Sequence, residues 1–310
     1  MKILITGGAG YIGSILVEKL IKNKHEVYVY DNFLYKQNSL NHLCIYDNLH
    51  IIKGDVRNLS SLDSLIKKVD IIIPLAALVG APLCSFDPIG SKSINYEAVV
   101  QMLKNLSKNQ IVLMPTTNSA YGTSLDNKIC NEESDLNPIS LYAKDKVNLE
   151  KKLMDFDNSI SFRLATVFGM SPRMRTDLLV NDFTYRAVHD GFIVIFEGSF
   201  KRNYIHIRDV AEVFNFAINN FEKMKSNIYN VGLSEANISK IELAKKIKKF
   251  IPNFIIKENE YHKDPDQRNY IVSNDKIEQT GYKPKFSIEV GIEELIKGYK
   301  MIKNNTYGNY

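Results

Sequence analysis

Residues 2–13 read KILITGGAGYIG and set a short apolar run directly before a cluster of glycines. Lys2–Thr6 has the β-branched character of a buried strand, and the residues after the glycines return to apolar side chains at helical spacing. Glycines between a strand and a helix let the backbone turn tightly and approach a phosphate, which the N–H groups at the helix N-terminus bind. The segment therefore predicts a loop that binds a dinucleotide through Gly7, Gly10 and Gly13.

The chain around this loop alternates apolar runs with amphipathic segments. Further apolar runs lie at 27–30, 51–52, 71–75 and 111–114. Helical spacing recurs later, at 207–221, 241–250 and 288–302. Strands that are apolar throughout are typical of a parallel sheet covered by helices on both faces, and right-handed crossovers make such a sheet doubly wound. We expect an α/β protein with a Rossmann-type doubly wound parallel sheet and a smaller C-terminal lobe that binds substrate.

Length and pattern divide the chain into two parts. Its 310 residues are enough for about two domains, and after Gly169 the spacing of Gly and Pro becomes irregular while basic and aromatic residues cluster. We expect residues 1–168 to form the dinucleotide-binding domain, with 205–225 returning to it. Residues 169–204 and 226–310 are then expected to form the second lobe.

Composition excludes several classes of protein. Hydrophobic residues make up 45%, charged residues 24%, and the net charge is +5, as in an ordinary soluble globular protein. The basic residues are scattered, which favours a solvated surface over a nucleic-acid site. We find no leader pattern and no apolar run long enough to span a bilayer, and Cys44, Cys84 and Cys130 form no CxxC pair. We expect a cytoplasmic protein with no metal site, no membrane segment and no nucleic-acid partner.

Asp31 ends the second predicted strand, about 20 residues after the glycine loop. A carboxylate there accepts hydrogen bonds from both ribose hydroxyls of an adenosine and repels a 2′-phosphate, and no arginine lies within the next few residues. These features favour NAD over NADP. After the third strand, Asp55 and the backbone of Val56 are candidates to bind the adenine amine, although Gly-Asp is also a frequent turn pair.

Tyr142 and Lys146 form a YxxxK pattern, which on a helix puts the two side chains one turn apart on the same face. An ammonium beside a phenol lowers the pKa of the tyrosine. Tyr142 can then take a proton from a sugar hydroxyl as hydride leaves the same carbon. Thr117 follows the fifth strand, where the active crevice is expected, and its hydroxyl can hydrogen-bond the substrate oxygen. We predict that these three residues are catalytic.

Occurring together and in order, these motifs resemble the extended short-chain dehydrogenases/reductases, in particular the nucleotide-sugar epimerase/dehydratase family. The resemblance covers essentially the whole chain and implies NAD, held tightly enough to be isolated as NADH, and a nucleoside diphosphate sugar. It assigns to the cofactor Gly7, Gly10, Tyr11, Ile12, Gly13, Asp31, Asn32, Asp55, Val56, Leu75, Ala76, Ala77, Tyr142 and Lys146. It assigns to the substrate Val79, Thr117, Asn118, Ser119, Asn181, Arg202 and Arg268.

Two arginines carry the resemblance into the second lobe. Arg202 begins an RNYIH segment, and Arg268 ends the segment DPDQR. The resemblance implies that both meet the sugar-nucleotide diphosphate, because a planar guanidinium suits phosphate oxygens. The alternative for either arginine is a surface salt bridge that contributes little. We expect His206 to pack or to orient the loop rather than to catalyse.

The two residues after Thr117 bear on which reaction follows. The family's 4,6-dehydratases carry an Asp-Glu pair there, whereas this chain has Asn118 and Ser119, which cannot supply the acid and base for dehydration at neutral pH. Two reactions that begin with oxidation at C4 of the sugar then remain. A 4-epimerase returns the hydride to the other face. A 4-dehydrogenase releases the 4-keto sugar and needs a second substrate, for example a small 2-oxo acid, to reoxidise NADH.

The residue sequences of three loops favour the dehydrogenase. TTNSAYG at 116–122, ALVGAP at 77–82 and DPDQR at 264–268 together most resemble the GDP-heptose 4-dehydrogenases of bacterial capsule pathways. We expect NAD-dependent oxidation at C4 of GDP-D-glycero-α-D-manno-heptose in capsular polysaccharide biosynthesis, with a 4-epimerase as the alternative. A 4,6-dehydratase and a non-catalytic NAD-binding protein are less favoured. The family also implies a homodimer or higher homo-oligomer formed through the helix that carries Tyr142.

Overall fold

The computed structural model describes residues 1–36, 38–123, 128–259, 268–302 and 308–309. Its strands are β1 (Lys2–Thr6), β2 (Glu26–Asp31), β3 (Leu49–Lys53), β4 (Ile71–Pro74), β5 (Ile111–Thr117), β6 (Ile129–Cys130), β7 (Ser159–Leu164), β8 (Thr166–Phe168), β9 (Phe192–Phe196), β10 (Lys201–His206), β11 (Asn227–Val231), β12 (Asn237–Ser239), β13 (Ile255–Asn259) and β14 (Ile271–Val272).

The helices of the same residues alternate with these strands. They are α1 (Tyr11–Lys22), α2 (Leu59–Ile66), α3 (Ala81–Phe86), α4 (Pro88–Lys92), α5 (Ala98–Lys104), α6 (Leu141–Leu153), α7 (Leu179–His189), α8 (Ile207–Asn219), α9 (Phe221–Met224), α10 (Lys240–Phe250), α11 (Asp275–Glu278) and α12 (Ile288–Tyr299). No helix in the described ranges is long and apolar enough to cross a bilayer.

A central sheet of seven strands organises the described residues, in the order β3-β2-β1-β4-β5-β7-β11. Every neighbouring pair in it is parallel. The predicted Rossmann-type doubly wound fold is therefore confirmed. Because β1 pairs with β2 on one side and β4 on the other, the strand order reverses at β1, and ligands of such sheets bind at the carboxyl ends of the strands at that point.

The chain after β7 adds small sheets and one further strand of the central sheet. β12-β10-β8 form a three-stranded sheet, while β9 pairs with β13 and β6 with β14. β11 lies in the central sheet next to β7, so the part of the chain that returns to this sheet extends past residue 225, where we expected it to end. The division into a dinucleotide domain and a substrate lobe stays a prediction.

Helix α6 is anchored to the sheet by its apolar face. Leu149 and Leu153 are fully buried in a cluster with Ile72 and Met114 of β4 and β5. The opposite face of the sheet is covered by α1 and α8, whose side chains belong to a core that extends to α12. The packing therefore fixes the first turns of α6, which carry Tyr142, over the carboxyl end of β5.

Candidate active site

The loop between β1 and α1 approaches the loop after β4 too closely for any side chain. Gly7 has a φ of +71°, and a Cβ atom placed on it would lie 2.5 Å from the backbone N of Ala76. A Cβ atom on Gly13 would lie 2.6 Å from the carbonyl oxygen of Gly7. Helix α1 begins after Gly10 without a side-chain cap, so its first N–H groups face the loop. The backbone is thus shaped to receive an anion.

These loops line a cleft whose empty space, including the part open to solvent, is about 720 Å³. Nine of the residues predicted to bind the cofactor line it: Gly7, Gly10, Asp31, Asn32, Asp55, Val56, Leu75, Ala76 and Ala77. Tyr142 and Lys146 are not among its lining residues. Tyr35, Ile94 and Arg173 also line the cleft, and the sequence analysis did not identify them.

Asp31 presents a fixed carboxylate at the end of β2. Oδ2 accepts a hydrogen bond from the N–H of Ala9 (3.0 Å) and Oδ1 accepts one from the N–H of Phe33 (2.8 Å). Burial raises the pKa of Asp31, and these two N–H groups lower it in part. A carboxylate held beside a glycine loop and an uncapped helix N-terminus is the donor and acceptor set that a dinucleotide requires. The cleft therefore fits the predicted cofactor.

The carboxylate of Asp55 is occupied by a neighbouring arginine. Arg57 donates from Nε to Oδ1 (2.9 Å) and from Nη2 to Oδ2 (2.6 Å), and this contact lowers the pKa of Asp55 to about 2. Asp55 and Val56 still line the cleft. The contact of Asp55 with an adenine amine stays a prediction.

Tyr142 and Lys146 lie in the first two turns of α6, which Ser140 caps by accepting a hydrogen bond from the N–H of Ala143 (3.2 Å). The Nζ atom of Lys146 lies 5.9 Å from the centroid of the Tyr142 ring and donates to the carbonyl oxygen of Pro115 (3.3 Å). The helix therefore brings the two side chains together on one face, as predicted from their spacing.

The expectation that Lys146 lowers the pKa of Tyr142 was wrong. Burial raises the pKa of Tyr142 to about 12, and burial lowers the pKa of Lys146 to about 8. The cations that lower the pKa of Tyr142 in part are Arg175 and Arg268, which come from the second half of the chain. The low dielectric around the phenol outweighs these charges.

Thr117 ends β5 and caps the short 3₁₀ turn Asn118–Tyr121. Its hydroxyl accepts from the N–H of Ser119 (3.1 Å) and donates to the Ser119 hydroxyl oxygen (3.0 Å). Arg268 donates from Nη1 to the same oxygen. Residues 264–267 of the predicted DPDQR segment lie outside the described residues. The fold thus brings Arg268 from a distant position in the sequence into one hydrogen-bonded group with Thr117 and Ser119.

Asn118 is fully buried beside this group. Neither Oδ1 nor Nδ2 of its side chain has a hydrogen-bond partner among the described residues. Asn118 and Ser119 hold the positions where a dehydratase carries carboxylates, and neither side chain is an acid or a base at neutral pH. Val79, the remaining predicted substrate residue of the β4 loop, accepts a hydrogen bond at its carbonyl oxygen from Asn309 (3.1 Å).

The predicted substrate residue Arg202 lies nearly fully buried on β10. The charges of Arg202 and Arg268 both act on the phenol of Tyr204, whose pKa burial raises and these two arginines lower in part. The two arginines predicted to meet a diphosphate therefore lie near the same buried side chain. His206, at the end of β10, contacts Glu294 (2.8 Å) and packs against Phe168, as expected for a residue that holds the loop.

Asn181 is fully buried and links two loops. Its Nδ2 donates to the carbonyl oxygen of Arg175 (2.8 Å) and to the hydroxyl oxygen of Tyr11 (3.1 Å), and its Oδ1 accepts from the N–H of Gly169 (3.0 Å). Its side-chain donors are engaged inside the protein, so the predicted contact with a substrate stays a prediction. Tyr11 in turn donates to the carbonyl oxygen of Gly169 (2.7 Å).

A buried ion pair holds α6 against the sheet. Glu150, two turns after Tyr142, accepts from Nη2 of Arg163 on β7 (2.6 Å) and from the hydroxyl of Thr116 (3.0 Å). Arg163 also donates to the hydroxyl oxygen of Tyr121 (2.9 Å). This network joins the helix of the predicted base to the strand of Thr117. Sequence reasoning missed it, because neither spacing nor composition distinguishes Glu150 from a solvated helix residue.

Sequence reasoning also missed the arginines of the loop after β8. Arg173 lines the dinucleotide cleft, and Arg175 is close enough to Tyr142 to lower its pKa in part. Both lie in the segment SPRMR at 171–175, just beyond the carboxyl end of a strand. The available signal was the cluster of basic residues that follows Gly169.

Comparison with known proteins places the site in context. Residues 3–232 match the model of the NAD dependent epimerase/dehydratase family. UDP-glucuronic acid decarboxylase 6 of Arabidopsis thaliana is 29% identical over 317 residues, covering 97% of this chain and 89% of that protein. UDP-glucuronic acid 4-epimerase from Bacillus cereus, solved in complex with UDP-glucuronic acid and NAD, aligns with a TM-score of 0.86 at 22% identity over 97% of this chain and 100% of that one. UDP-glucose 4-epimerase of Thermus thermophilus, in complex with NAD, aligns with a TM-score of 0.80 at 22% identity over 97% and 99%.

Proposed function

Because this chain belongs to the NAD dependent epimerase/dehydratase family, we propose that it uses NAD to oxidise a nucleoside diphosphate sugar at C4. The residues that would hold NAD are those of the glycine loop, Asp31 and the β4 loop, which line the cleft described above. When bound, NAD supplies the acceptor for the hydride that leaves C4.

The chain's own residues handle the proton. Tyr142, as phenolate, takes the proton from O4, and the hydroxyl of Thr117 hydrogen-bonds O4 and orients it. Lys146 lies on the same helix face, with its Nζ atom 5.9 Å from the Tyr142 ring centroid, and its proposed role is to hold the ribose of the cofactor. The sugar loses a hydride and a proton, so the products are the 4-keto sugar and a protonated Tyr142.

One observation carries the choice among reactions. The residues directly after Thr117 are Asn118 and Ser119, and Ser119 is hydrogen-bonded to Arg268 rather than to a carboxylate. Elimination of water after C4 oxidation needs an acid and a base beside the sugar, and this loop provides neither. Oxidation without dehydration is therefore the reaction that the site supports best.

A nucleoside diphosphate suits the charge of the second half of the site. Arg202 and Arg268 lie near one buried phenol, and Arg268 reaches the loop that carries Thr117. A diphosphate bound by these arginines would place its sugar toward Thr117 and Tyr142. We propose GDP-D-glycero-α-D-manno-heptose as the substrate, in capsular polysaccharide biosynthesis. The residue sequences of the loops at 77–82 and 116–122 resemble those of enzymes that act on it.

A small 2-oxo acid is the proposed second substrate that reoxidises NADH. The alternative is a 4-epimerase, in which the ketosugar turns and takes the hydride back. The two reactions require the same Tyr142, Lys146 and Thr117. They differ only in whether the 4-keto sugar leaves.

We also propose that the protein is a cytoplasmic homodimer that pairs through α6. Phe86 and Ile89, on α3 and α4, are 89% and 83% exposed. Both helices pack against α6, and Leu141 at the start of α6 is exposed too. Exposed apolar side chains grouped beside one helix are typical of an interface. Sedimentation equilibrium would show a dimer that Phe86→Glu with Ile89→Glu converts to a monomer; a monomeric wild-type chain would contradict the pairing.

Product NMR with cofactor absorbance tests the reaction. The enzyme is mixed with GDP-D-glycero-α-D-manno-heptose, with and without a 2-oxo acid. A 4-keto product that accumulates beyond one turnover only with the acid supports the dehydrogenase. An epimerised sugar without lasting NADH supports the epimerase. Tyr142→Phe should abolish reduction of bound NAD by the sugar, whereas the exposed control Tyr46→Phe should react as wild type. Near-normal turnover by Tyr142→Phe would overturn the assignment.

A further inference from the structure

Two residues that line the dinucleotide cleft carry a buried polar atom without a hydrogen-bond partner among the described residues. Arg173 is 2% exposed, and its Nε has no hydrogen-bond partner among the described residues. The hydroxyl of Tyr35 is likewise buried and unpartnered within that part of the chain. Both residues line the cleft together with Gly7 and Gly10. Buried polar groups in native proteins are normally satisfied, so two orphans in one cleft point to a ligand that satisfies them.

The guanidinium of Arg173 is fixed on three sides. Its central carbon lies 3.8 Å from the centroid of the Tyr35 ring, Nη1 donates to the carbonyl oxygen of Met174 (2.8 Å), and Nη2 donates to Oδ1 of Asn309 (2.6 Å). Asn309 is itself held by the carbonyl oxygen of Val79. With Nη1 and Nη2 each engaged and one face covered by a ring, the orientation of the guanidinium is set before any ligand binds.

The backbone of this loop is fastened to the start of α1. The hydroxyl of Ser171, two residues before Arg173, donates to the carbonyl oxygen of Tyr11 (2.8 Å) and lies 2.9 Å from the hydroxyl oxygen of Ser14. The loop that carries Arg173 is therefore held at the start of α1, and Arg173 and Gly10 line the same cleft. Asp31, which lines the same cleft, is close enough for its charge to act on the guanidinium of Arg173.

The charge of the cleft calls for a cation at this point. A diphosphate carries two negative charges, and a helix N-terminus contributes only about half of one positive charge. Among the described lining residues, Asp31 and Asp55 are acidic, Lys36 is exposed, and Arg173 is the buried cation. Burial lowers the pKa of Arg173, the direction expected for a cation that lacks part of its compensation.

We propose that Arg173, held flat on Tyr35, binds the diphosphate of NAD through its Nε–H, together with the N-terminus of α1. A diphosphate rather than a ribose is the partner, because the ribose hydroxyls fall to Asp31 and because a guanidinium in a water-poor site forms its strongest hydrogen bonds with phosphate oxygens. The proposal rests on NAD as the cofactor and is independent of which sugar is oxidised.

Displacement of bound NADH by adenosine and by ADP tests the proposal without any sugar. The fluorescence of NADH on the holoprotein reports the displacement, and the amount of NAD and NADH that copurifies per chain is a second readout. Arg173→Met should weaken ADP by about ten- to hundredfold, as expected for the loss of a charge-assisted hydrogen bond, and leave adenosine within about twofold of wild type. Arg186→Met, on the exposed face of α7, is the matched control and should behave as wild type.

Two results would overturn the proposal. An equal loss for adenosine and ADP would show that Arg173 only shapes the loop, and no loss for either would show that it does not meet the diphosphate. Arg173→Lys guards against a methionine variant that does not fold, because it keeps the charge but lacks Nε–H and the planar face. It should weaken ADP about tenfold and leave adenosine unchanged. None of these outcomes depends on the reaction, so they can be interpreted even if the protein oxidises no sugar.

Discussion

The loop after β1 and the loop after β8 meet at the same cleft, but they contribute to it by different means. The first loop, Gly7 to Gly13, offers backbone N–H groups and must lack side chains where it touches the β4 loop. The second, residues 169–177, offers the guanidinium group of Arg173 to the cleft, and its Arg175 carries a charge that acts on Tyr142. Tyr11 joins them by a hydrogen bond to Gly169, 158 residues away in the sequence.

This difference explains which part of the site can be predicted from the sequence. A backbone site needs glycines at fixed spacing between a strand and a helix, and that spacing is local. A side-chain site needs charges that the fold brings from anywhere in the chain. The sequence has no arginine soon after Asp31, yet the fold places Arg173 close enough for the charge of Asp31 to act on its guanidinium.

Gly7→Ala is expected to have the largest effect on this comparison. A Cβ atom in the left-handed region costs about 1–2 kcal/mol, and the atom would also meet the Ala76 backbone at 2.5 Å. We expect a total loss above about 4 kcal/mol in the free energy of unfolding, a size reserved for severe changes, with loss of bound NAD. Urea unfolding and the cofactor content per chain measure both.

Gly191→Ala is the matched control for this variant. Gly191 has a φ of +73°, and a Cβ atom on it would meet nothing within 4 Å. It should lose only the backbone cost of about 1–2 kcal/mol and keep its NAD. If the two variants lose the same free energy of unfolding, the close approach of the β1 loop to the β4 loop contributes nothing to stability.

Much of the fold was accessible from the sequence. The predicted strand at Lys2–Thr6 has the observed bounds, and the helices expected at 241–250 and 288–302 correspond to α10 and α12. The pairs β9–β13 and β6–β14 were not predicted. They join segments far apart in sequence, and β6 and β14 are two residues long, too short for a periodic pattern.

The candidate site could be predicted from the sequence where a single local motif contains all the residues concerned. Tyr142 and Lys146 share a helix face because they are four positions apart, and this prediction is confirmed. The direction of the Tyr142 pKa did not follow from the motif, since burial depends on what packs around the helix. Nor did the contact between Arg268 and Ser119, because the β-bridge of Asn269 to Thr123 that brings it about is a product of the fold.

Tyr11→Phe tests the joint between the two loops and should have the next largest effect. The change removes the donor to the Gly169 carbonyl and the acceptor for Asn181, and it leaves both groups buried. We expect a loss of about 1–3 kcal/mol in the free energy of unfolding. Chemical denaturation of this variant beside Tyr46→Phe measures it. A loss no larger than that of Tyr46→Phe would mean that the two loops are held independently.

The pH dependence of cofactor reduction sharpens the role of the second loop. The rate should follow the fraction of Tyr142 as phenolate multiplied by the fraction of Lys146 as ammonium. With pKa values of about 12 and about 8, that product rises about tenfold per pH unit until about pH 8. Above that pH the loss of the ammonium cancels the gain of phenolate, so the profile levels off.

Arg175→Met should lower this profile without moving its bend. Removing the Arg175 charge raises the pKa of Tyr142, so less phenolate is present at every pH below about 12. Arg175 is not among the groups that shift the pKa of Lys146, which sets the bend. We expect a reduction rate about two- to tenfold lower in single-turnover absorbance at saturating sugar. A bend displaced from that of wild type would show that Arg175 acts through Lys146 instead.

Arg57→Met should have the smallest effect, although its partner Asp55 lines the cleft. The depressed pKa of Asp55, about 2, means that the pair stabilises the fold above the ordinary pKa of 3.8 and that this stability is lost as the pH falls through about 2. The side chains are 30% and 50% exposed, however, so water and salt screen them. A double-mutant cycle with Asp55→Asn should give a coupling of about 0–1 kcal/mol at neutral pH, which vanishes in about 1 M salt. A coupling free energy that persists in salt would contradict this prediction. It would show that an ion pair between residues two positions apart stabilises the cleft as much as the hydrogen bond of Tyr11 to Gly169, 158 positions away.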